Sequence, residues 1–133
     1  MKILFIGDII GEAGRKTIAR QLETVVDEYR INIVIANGEN AAGGFGITPK
    51  IADELFDAGI NVITSGNHIW DKKEIVPYLA KERKLLRPAN YPEGVPGYGY
   101  TTAYTNSGDK VVVLNLTGRV FMGNFDCPFR YFN

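Results

Sequence analysis

Three short apolar runs alternate with amphipathic stretches along the first half of the chain. Residues 2–7, 31–36 and 60–65 are dominated by aliphatic and aromatic side chains, and each run leads into glycine and polar residues. Continuous apolar runs of this length are typical of strands buried on both faces of a parallel sheet. The pattern therefore predicts three buried strands, each of which ends in a polar loop.

The segments between these runs have the periodicity of helices. Apolar side chains recur at spacings of three and four within residues 15–29, which predicts an amphipathic crossover helix. Thr48 and Pro49 predict the start of a second helix, because threonine can cap free amides and proline needs no donor there. Gly59 predicts its end, and a third helix is expected over residues 72–83. The first half is thus predicted to be a βαβ arrangement.

The second half of the chain has more β-character. A short strand is expected at residues 85–87, before an irregular stretch that contains three prolines. Residues 98–105 and 110–116 flank a polar turn, which predicts an antiparallel hairpin. Residues 121–133 are rich in apolar and aromatic side chains, yet no helix or strand is predicted to bury them. We therefore expect a single α/β domain over residues 1–133, and we expect it to be incomplete.

Composition narrows the functional classes. With 133 residues and 45% hydrophobic side chains, the chain can form one domain with a core. Fifteen basic residues balance fifteen acidic ones, so no net field attracts double-stranded nucleic acid or an anionic membrane. The single cysteine, Cys127, excludes an intrachain disulfide and a thiolate zinc cluster. The first apolar run is too short for a signal peptide or a membrane span, and we expect a cytoplasmic protein.

Five polar side chains follow directly after the three predicted strands: Asp8, Glu39, Asn40, Asn67 and His68. The carboxyl ends of parallel strands share one edge of the sheet, where ligands bind in open α/β folds. Taken singly, each of these residues is also an ordinary turn former or helix cap. Their coincidence at one edge favours a binding site.

The chemistry of these side chains indicates a site for hard or borderline cations. Carboxylate, amide and imidazole donors favour manganese and iron first, then magnesium and zinc. A carboxylate such as Glu39 can bridge two ions about 3.5–4 Å apart, where a shared hydroxide attacks a phosphoryl group. A phosphate-binding glycine loop is disfavoured, because Gly7, Gly11 and Gly14 have the wrong spacing and Arg15 interrupts the nearest P-loop pattern. Phosphoester hydrolysis is therefore the preferred hypothesis.

Three segments, in this order and spacing, resemble the motifs of the YmdB-like metallophosphoesterases, a branch of the calcineurin-like superfamily: Gly7-Asp8-Ile9-Ile10-Gly11, Asn37-Gly38-Glu39-Asn40 and Gly66-Asn67-His68. The tail segment Asp126-Cys127-Pro128-Phe129 is also similar, so the resemblance covers the whole chain. It implies a four-layer αββα sandwich and a phosphodiesterase with two iron or manganese ions. The implied reaction is hydrolysis of 2',3'-cyclic nucleotides at the 2' bond, which leaves 3'-nucleotides.

The resemblance also implies a role for each candidate residue. Asp8 and Asn40 would bind the first metal, Glu39 would bridge both metals, and Asn67 would bind the second. His68 would protonate the leaving 2' oxygen. Family members are longer and supply further histidine ligands from their second half, whereas His68 is the only histidine here. We therefore expect the 133-residue form to bind metal poorly and to be nearly inactive.

Two further expectations concern partners. The hairpin should expose an edge and apolar surface, which predicts a homo-oligomer. The expected ligand is a cyclic nucleotide or another small phosphodiester, without membrane or double-stranded nucleic acid. The alternative function is that of a non-catalytic interaction or regulatory domain built on a decayed metallophosphoesterase fold.

Overall fold

Two sheets form the framework of the protein. In the computed structural model, which describes residues 1–132, three parallel strands run in the order β1-β2-β3 and two antiparallel strands pair as β4-β5. The bounds are β1 Ile3–Ile6, β2 Ile33–Asn37, β3 Val62–Thr64, β4 Tyr100–Tyr104 and β5 Lys110–Leu114. The predicted α/β class with a later antiparallel hairpin is confirmed. Of the apolar tail at residues 121–133, Asn133 lies outside the described residues.

The helices are α1 Gly11–Tyr29, α2 Pro49–Asp57, α3 Ile75–Leu79 and α4 Pro128–Phe132, with a 3-10 helix at Asn67–Trp70. The predicted cap of α2 is confirmed, because the hydroxyl of Thr48 accepts the amide of Ile51 at 3.2 Å. No helix of the described residues has both the length and the apolar character that a bilayer crossing requires.

Three local predictions were wrong. The helix expected over residues 72–83 is only Ile75–Leu79, because the chain on both sides forms turns whose amides bond three residues back: Ile75 to the carbonyl of Lys72 and Lys81 to that of Tyr78, each at 3.0 Å. Residues 85–87 form no strand, since Leu85 bridges to β3 while Leu86 bridges to Tyr98, so no continuous ladder develops. The tail does contain a helix, α4, which begins at a proline and buries none of its residues.

The helices cover one face of the parallel sheet. Val34 and Ala36 of β2 join a core with Leu22 of α1, Leu55 of α2 and Leu79 of α3. This arrangement is expected when successive crossovers are right-handed and run in the same direction along the sheet. The helical layer therefore packs on the side of the sheet opposite the hairpin.

The hairpin covers only part of the other face. Ile33 and Ile35 of β2 pack with Val111 and Val113 of β5, which gives the two-sheet interior of an αββα sandwich. The prediction that β1 is buried on both faces was wrong, because Ile3 is 47% exposed and Phe5 is 61% exposed. The hairpin reaches β2 and β3 and leaves this face of β1 open.

Candidate metal and phosphoester site

Backbone hydrogen bonds hold the three loops at the carboxyl ends of the strands together. The amide of Ile9 donates to the carbonyl of Asn37 at 2.9 Å, and the amide of Gly38 donates to the carbonyl of Thr64 at 3.0 Å. These bonds extend the parallel ladder one step beyond the strands. The polar residues that follow are thereby fixed along a single edge, as the sequence predicted.

A side-chain relay links residues from all three loops. The amide nitrogen of Asn40 donates to a carboxylate oxygen of Asp8 at 2.7 Å, and the amide oxygen of Asn40 lies 2.7 Å from Nδ1 of His68. A carboxylate only accepts, so the nitrogen end of the Asn40 amide must face Asp8. Its oxygen end then requires a hydrogen on Nδ1 of His68, which leaves Nε2 to interact with a ligand.

Glu39 presents an unsatisfied oxygen beside this relay. Its Oε2 is buried and has no hydrogen-bond partner among the described residues. A buried carboxylate oxygen without a partner is destabilising, and a bound cation would offset that cost. A Cβ atom at Gly66 would collide with this carboxylate, so glycine is needed for Glu39 to occupy its position. The local donor set therefore fits a cation.

Asn67 is a predicted site residue whose side chain is not hydrogen-bonded to the other candidates in the described residues. It lies at the start of the 3-10 helix. Within residues 1–132, no three histidine, cysteine, aspartate or glutamate side chains cluster closely enough to hold a metal ion. The donor set therefore depends on the two asparagine amide oxygens, which are suitable ligands for hard cations.

Sequence reasoning missed an aromatic residue at this edge. Phe45 is 60% exposed, and its ring centroid lies 5.3 Å from that of His68 at an interplanar angle of 65°. The signal available in the sequence was an aromatic residue among Gly43, Gly44 and Gly46, in a loop that follows a strand. Its proximity to His68 emerges only from the fold.

An aromatic cluster connects the start of the tail to the 3-10 helix that contains Asn67 and His68. The rings of Trp70 and Tyr91 meet edge to face at 5.5 Å, and those of Tyr91 and Phe125 at 4.7 Å. The pKa of Tyr91 is raised above its ordinary value, mainly by burial. Hydrogen bonding with Trp70 lowers this pKa in part, and the negative charge of Glu39 raises it further. The amide of Asp126 donates to the carbonyl of Asn90 at 3.0 Å, which anchors the tail next to this cluster.

A groove of 680 Å³ lies beside Glu39. It is lined by the open face of β1, by the loops after β2 and β3, and by β5 with the residues that follow it. Its wall includes Ile3, Phe5, Glu39, Gly66 and Val112. Apolar strand surface and one predicted metal ligand therefore border the same space.

The family of this chain is decided by one match. A family model described as YmdB-like protein matches residues 4–133. The chain belongs to the YmdB-like family. The resemblance of its three loop motifs to this family is thereby confirmed.

Relatives of the YmdB-like chain include an enzyme with a stated activity. The chain is 46% identical over 129 residues to a protein of Bacillus subtilis (strain 168) named 2',3'-cyclic-nucleotide 2'-phosphodiesterase. This alignment covers 97% of the chain and 48% of the relative.

Solved structures share the YmdB-like architecture. A crystal structure of a hypothetical protein from Thermus thermophilus matches with a TM-score of 0.92 and 39% identity, over 99% of this chain and 51% of that one. A structure described as a novel phosphatase of Mycoplasma pneumoniae matches with a TM-score of 0.90 and 31% identity, over 99% and 49%. The chain thus spans about half the length of each of these relatives.

Proposed function

We propose that this chain carries part of the active site of a metal-dependent phosphodiesterase that hydrolyses 2',3'-cyclic nucleotides to 3'-nucleotides. The observations that carry the proposal are the buried oxygen of Glu39, which has no hydrogen-bond partner within residues 1–132, and the hydrogen bonds that join Asp8, Asn40 and His68. The name of the Bacillus subtilis relative, at 46% identity, supports the substrate class.

The proposed metal ligands are the four oxygen-bearing residues of the strand-end loops. Asp8 and Asn40 would hold one ion, Glu39 would bridge two ions, and Asn67 would hold the second. The amide oxygen of Asn40 has a second lone pair besides the one directed at His68, so both interactions are compatible. Two bound iron or manganese ions would supply Lewis acidity and an activated water.

His68 is the proposed proton donor. Asn40 orients the imidazole through Nδ1, and Nε2 is the nitrogen that can reach a substrate. When both ring nitrogens carry a hydrogen, Nε2 can donate its proton to the departing 2' oxygen while the oxygen of the attacking water bonds to phosphorus and the bond from phosphorus to the 2' oxygen breaks; His68 is then left neutral, with its hydrogen on Nδ1. The resulting product has a free 2' hydroxyl and a 3' phosphate.

We also propose that the 133-residue form binds metal weakly and has little activity by itself. His68 is the only histidine, and the proposed ligands would give each ion two or three protein oxygens. Missing ligands are replaced by exchangeable water, which lowers affinity. A cytoplasmic location and a homo-oligomeric state remain predictions.

Manganese titration of the chain tests the site directly. We expect weak binding that falls at least about tenfold in Asp8→Ala, because a charged ligand is removed. The matched control is Asn106→Ala in the turn between β4 and β5, which should bind as the wild type does. Hydrolysis of bis-p-nitrophenyl phosphate should require manganese. Its rate should decrease in Asp8→Ala and stay unchanged in Asn106→Ala.

The two competing functions predict different results. If Asp8→Ala and Asn67→Ala leave manganese binding unchanged, the assigned site is wrong, and the non-catalytic interaction domain becomes the better hypothesis. Tight stoichiometric binding of two ions by the wild-type chain would overturn the proposed weakness of the 133-residue form.

A further inference from the structure

Phe45 is an exposed aromatic ring held in a fixed loop. The amide of Ala42 donates to the carbonyl of Gly46 at 2.9 Å, and the amide of Gly44 donates to the carbonyl of Asn40 at 3.0 Å. Gly43, Gly44 and Gly46 have φ values of 70°, 98° and 76°, which only glycine adopts without strain. The loop is therefore internally hydrogen-bonded around the ring.

The loop also packs closely against the 3-10 helix and the residues that follow it. A Cβ atom at Gly46 would lie 3.0 Å from Cγ of Lys72 and 3.2 Å from the carbonyl oxygen of His68. Ala41 and Ile47, which flank the loop, are fully buried. Because both ends are anchored, the fold holds the backbone of Phe45 in place next to His68.

We propose that Phe45 is the stacking platform of a nucleobase subsite, an inference that rests on the proposed function. In a 2',3'-cyclic nucleotide, the base is attached to C1', the carbon next to the one that bears the 2' oxygen. A residue that donates a proton to the 2' oxygen therefore has the base close by. Phe45, with its ring centroid 5.3 Å from that of His68 and 60% of its surface exposed, is placed to receive that base.

The chemistry of a single aromatic platform also defines its selectivity. Stacking uses the π-face that every base has, so it tolerates all four bases while rejecting ligands without a base. The subsite should therefore distinguish cyclic nucleotides from base-free phosphodiesters. It should distinguish adenine from uracil only weakly.

The test compares two ligands across three variants in the presence of manganese. The ligands are adenosine 2',3'-cyclic phosphate and the base-free 1-O-methylribose 2',3'-cyclic phosphate, and dissociation constants come from isothermal titration calorimetry. We expect Phe45→Ala to weaken binding of the adenosine ligand by at least about fivefold, the lower end of measured stacking contributions. Binding of the base-free ligand should not change, and Phe45→Tyr should retain the wild-type preference.

Tyr104→Ala is the matched control, because Tyr104 is an equally exposed aromatic on β4 and should affect neither ligand. Equal weakening of both ligands in Phe45→Ala would show that the ring only supports His68, and would overturn the proposal. So would a wild-type chain that binds both ligands equally well. If the wild-type chain binds neither ligand, the proposed function fails, and the base subsite fails with it.

Discussion

The two faces of the parallel sheet differ in how completely they are covered. Ile3 of β1 and Ile33 of β2 are register partners on the same face, yet Ile33 is 1% exposed and Ile3 is 47% exposed. On the opposite face, Leu4 and Val34 are also register partners, and both belong to the core beneath the helices. The residue types are alike, so the layer above each strand decides its burial.

This difference follows from the connections that build each layer. A crossover helix must return over the strands that it joins, so local chain covers the helical face. The opposite face depends on β4 and β5, which lie far along the sequence and reach only β2 and β3. The locally connected layer thus reaches all three parallel strands, whereas the layer formed by distant segments leaves a groove beside Glu39.

The largest expected effect is a difference in stability between substitutions in β2, which the hairpin covers, and in β1, which it leaves open. Ile33→Ala should lower the free energy of unfolding by about 2–5 kcal/mol, because it leaves a cavity between the two sheets. Its register partner provides the control: Ile3→Ala should cost about 1 kcal/mol or less, since half of that side chain is already exposed. Urea denaturation measures both. Equal losses would mean that another molecule covers β1 in solution.

A smaller effect, on manganese binding, is expected from a substitution at Gly66, which lines the groove together with Glu39. Gly66→Ala should weaken manganese binding by about 10–100-fold, as changes that displace a metal ligand do, because the new methyl group collides with Glu39. Gly7→Ala is the control, since a Cβ there meets no atom within 4 Å. Circular dichroism should show both variants folded. Equal weakening in the two variants would argue against a specific contact with Glu39.

The smallest expected effect concerns association of the chain with itself. Contiguous exposed apolar surface promotes association, so the wild-type chain should show concentration-dependent sedimentation. Phe5→Thr should shift this equilibrium towards the monomer, because it removes the most exposed apolar side chain of β1 while keeping a good strand former. Tyr104→Thr, which changes a residue outside the groove, should have little effect. A wild-type chain that stays monomeric throughout would contradict the predicted homo-oligomer.

Local signals predicted most of the fold. The three parallel strands, the second helix and the hairpin followed from periodicity and turn residues, because those patterns act over a few residues. The first helix was also predicted, although it begins at Gly11 and not at residue 15. Burial of β1 was predicted wrongly, because the apolar character of its side chains says nothing about whether a distant hairpin reaches it. The third helix was predicted too long, because its sequence pattern also fits the turns on either side, in which amides bond three residues back instead of four.

The candidate site was predictable in its parts and less so in its geometry. The positions of Asp8, Asn40 and His68 after three strands predicted their proximity, and the structure links them by hydrogen bonds. Their roles as metal ligands and proton donor remain predictions. The proximity of Gly66 to Glu39 and of Phe45 to His68 could not be predicted, because each pair joins loops that are distant in sequence.

The backbone of Asp8 has a consequence for how this sequence could change. Its φ of 38° lies in the left-handed region, which glycine adopts freely and which aspartate tolerates better than most other residues but still at a cost in free energy. A library selected only for thermal resistance should therefore enrich glycine at this position. Because Asp8 is a proposed metal ligand, a library selected for manganese binding should restore aspartate, so the two selections would favour different residues at position 8.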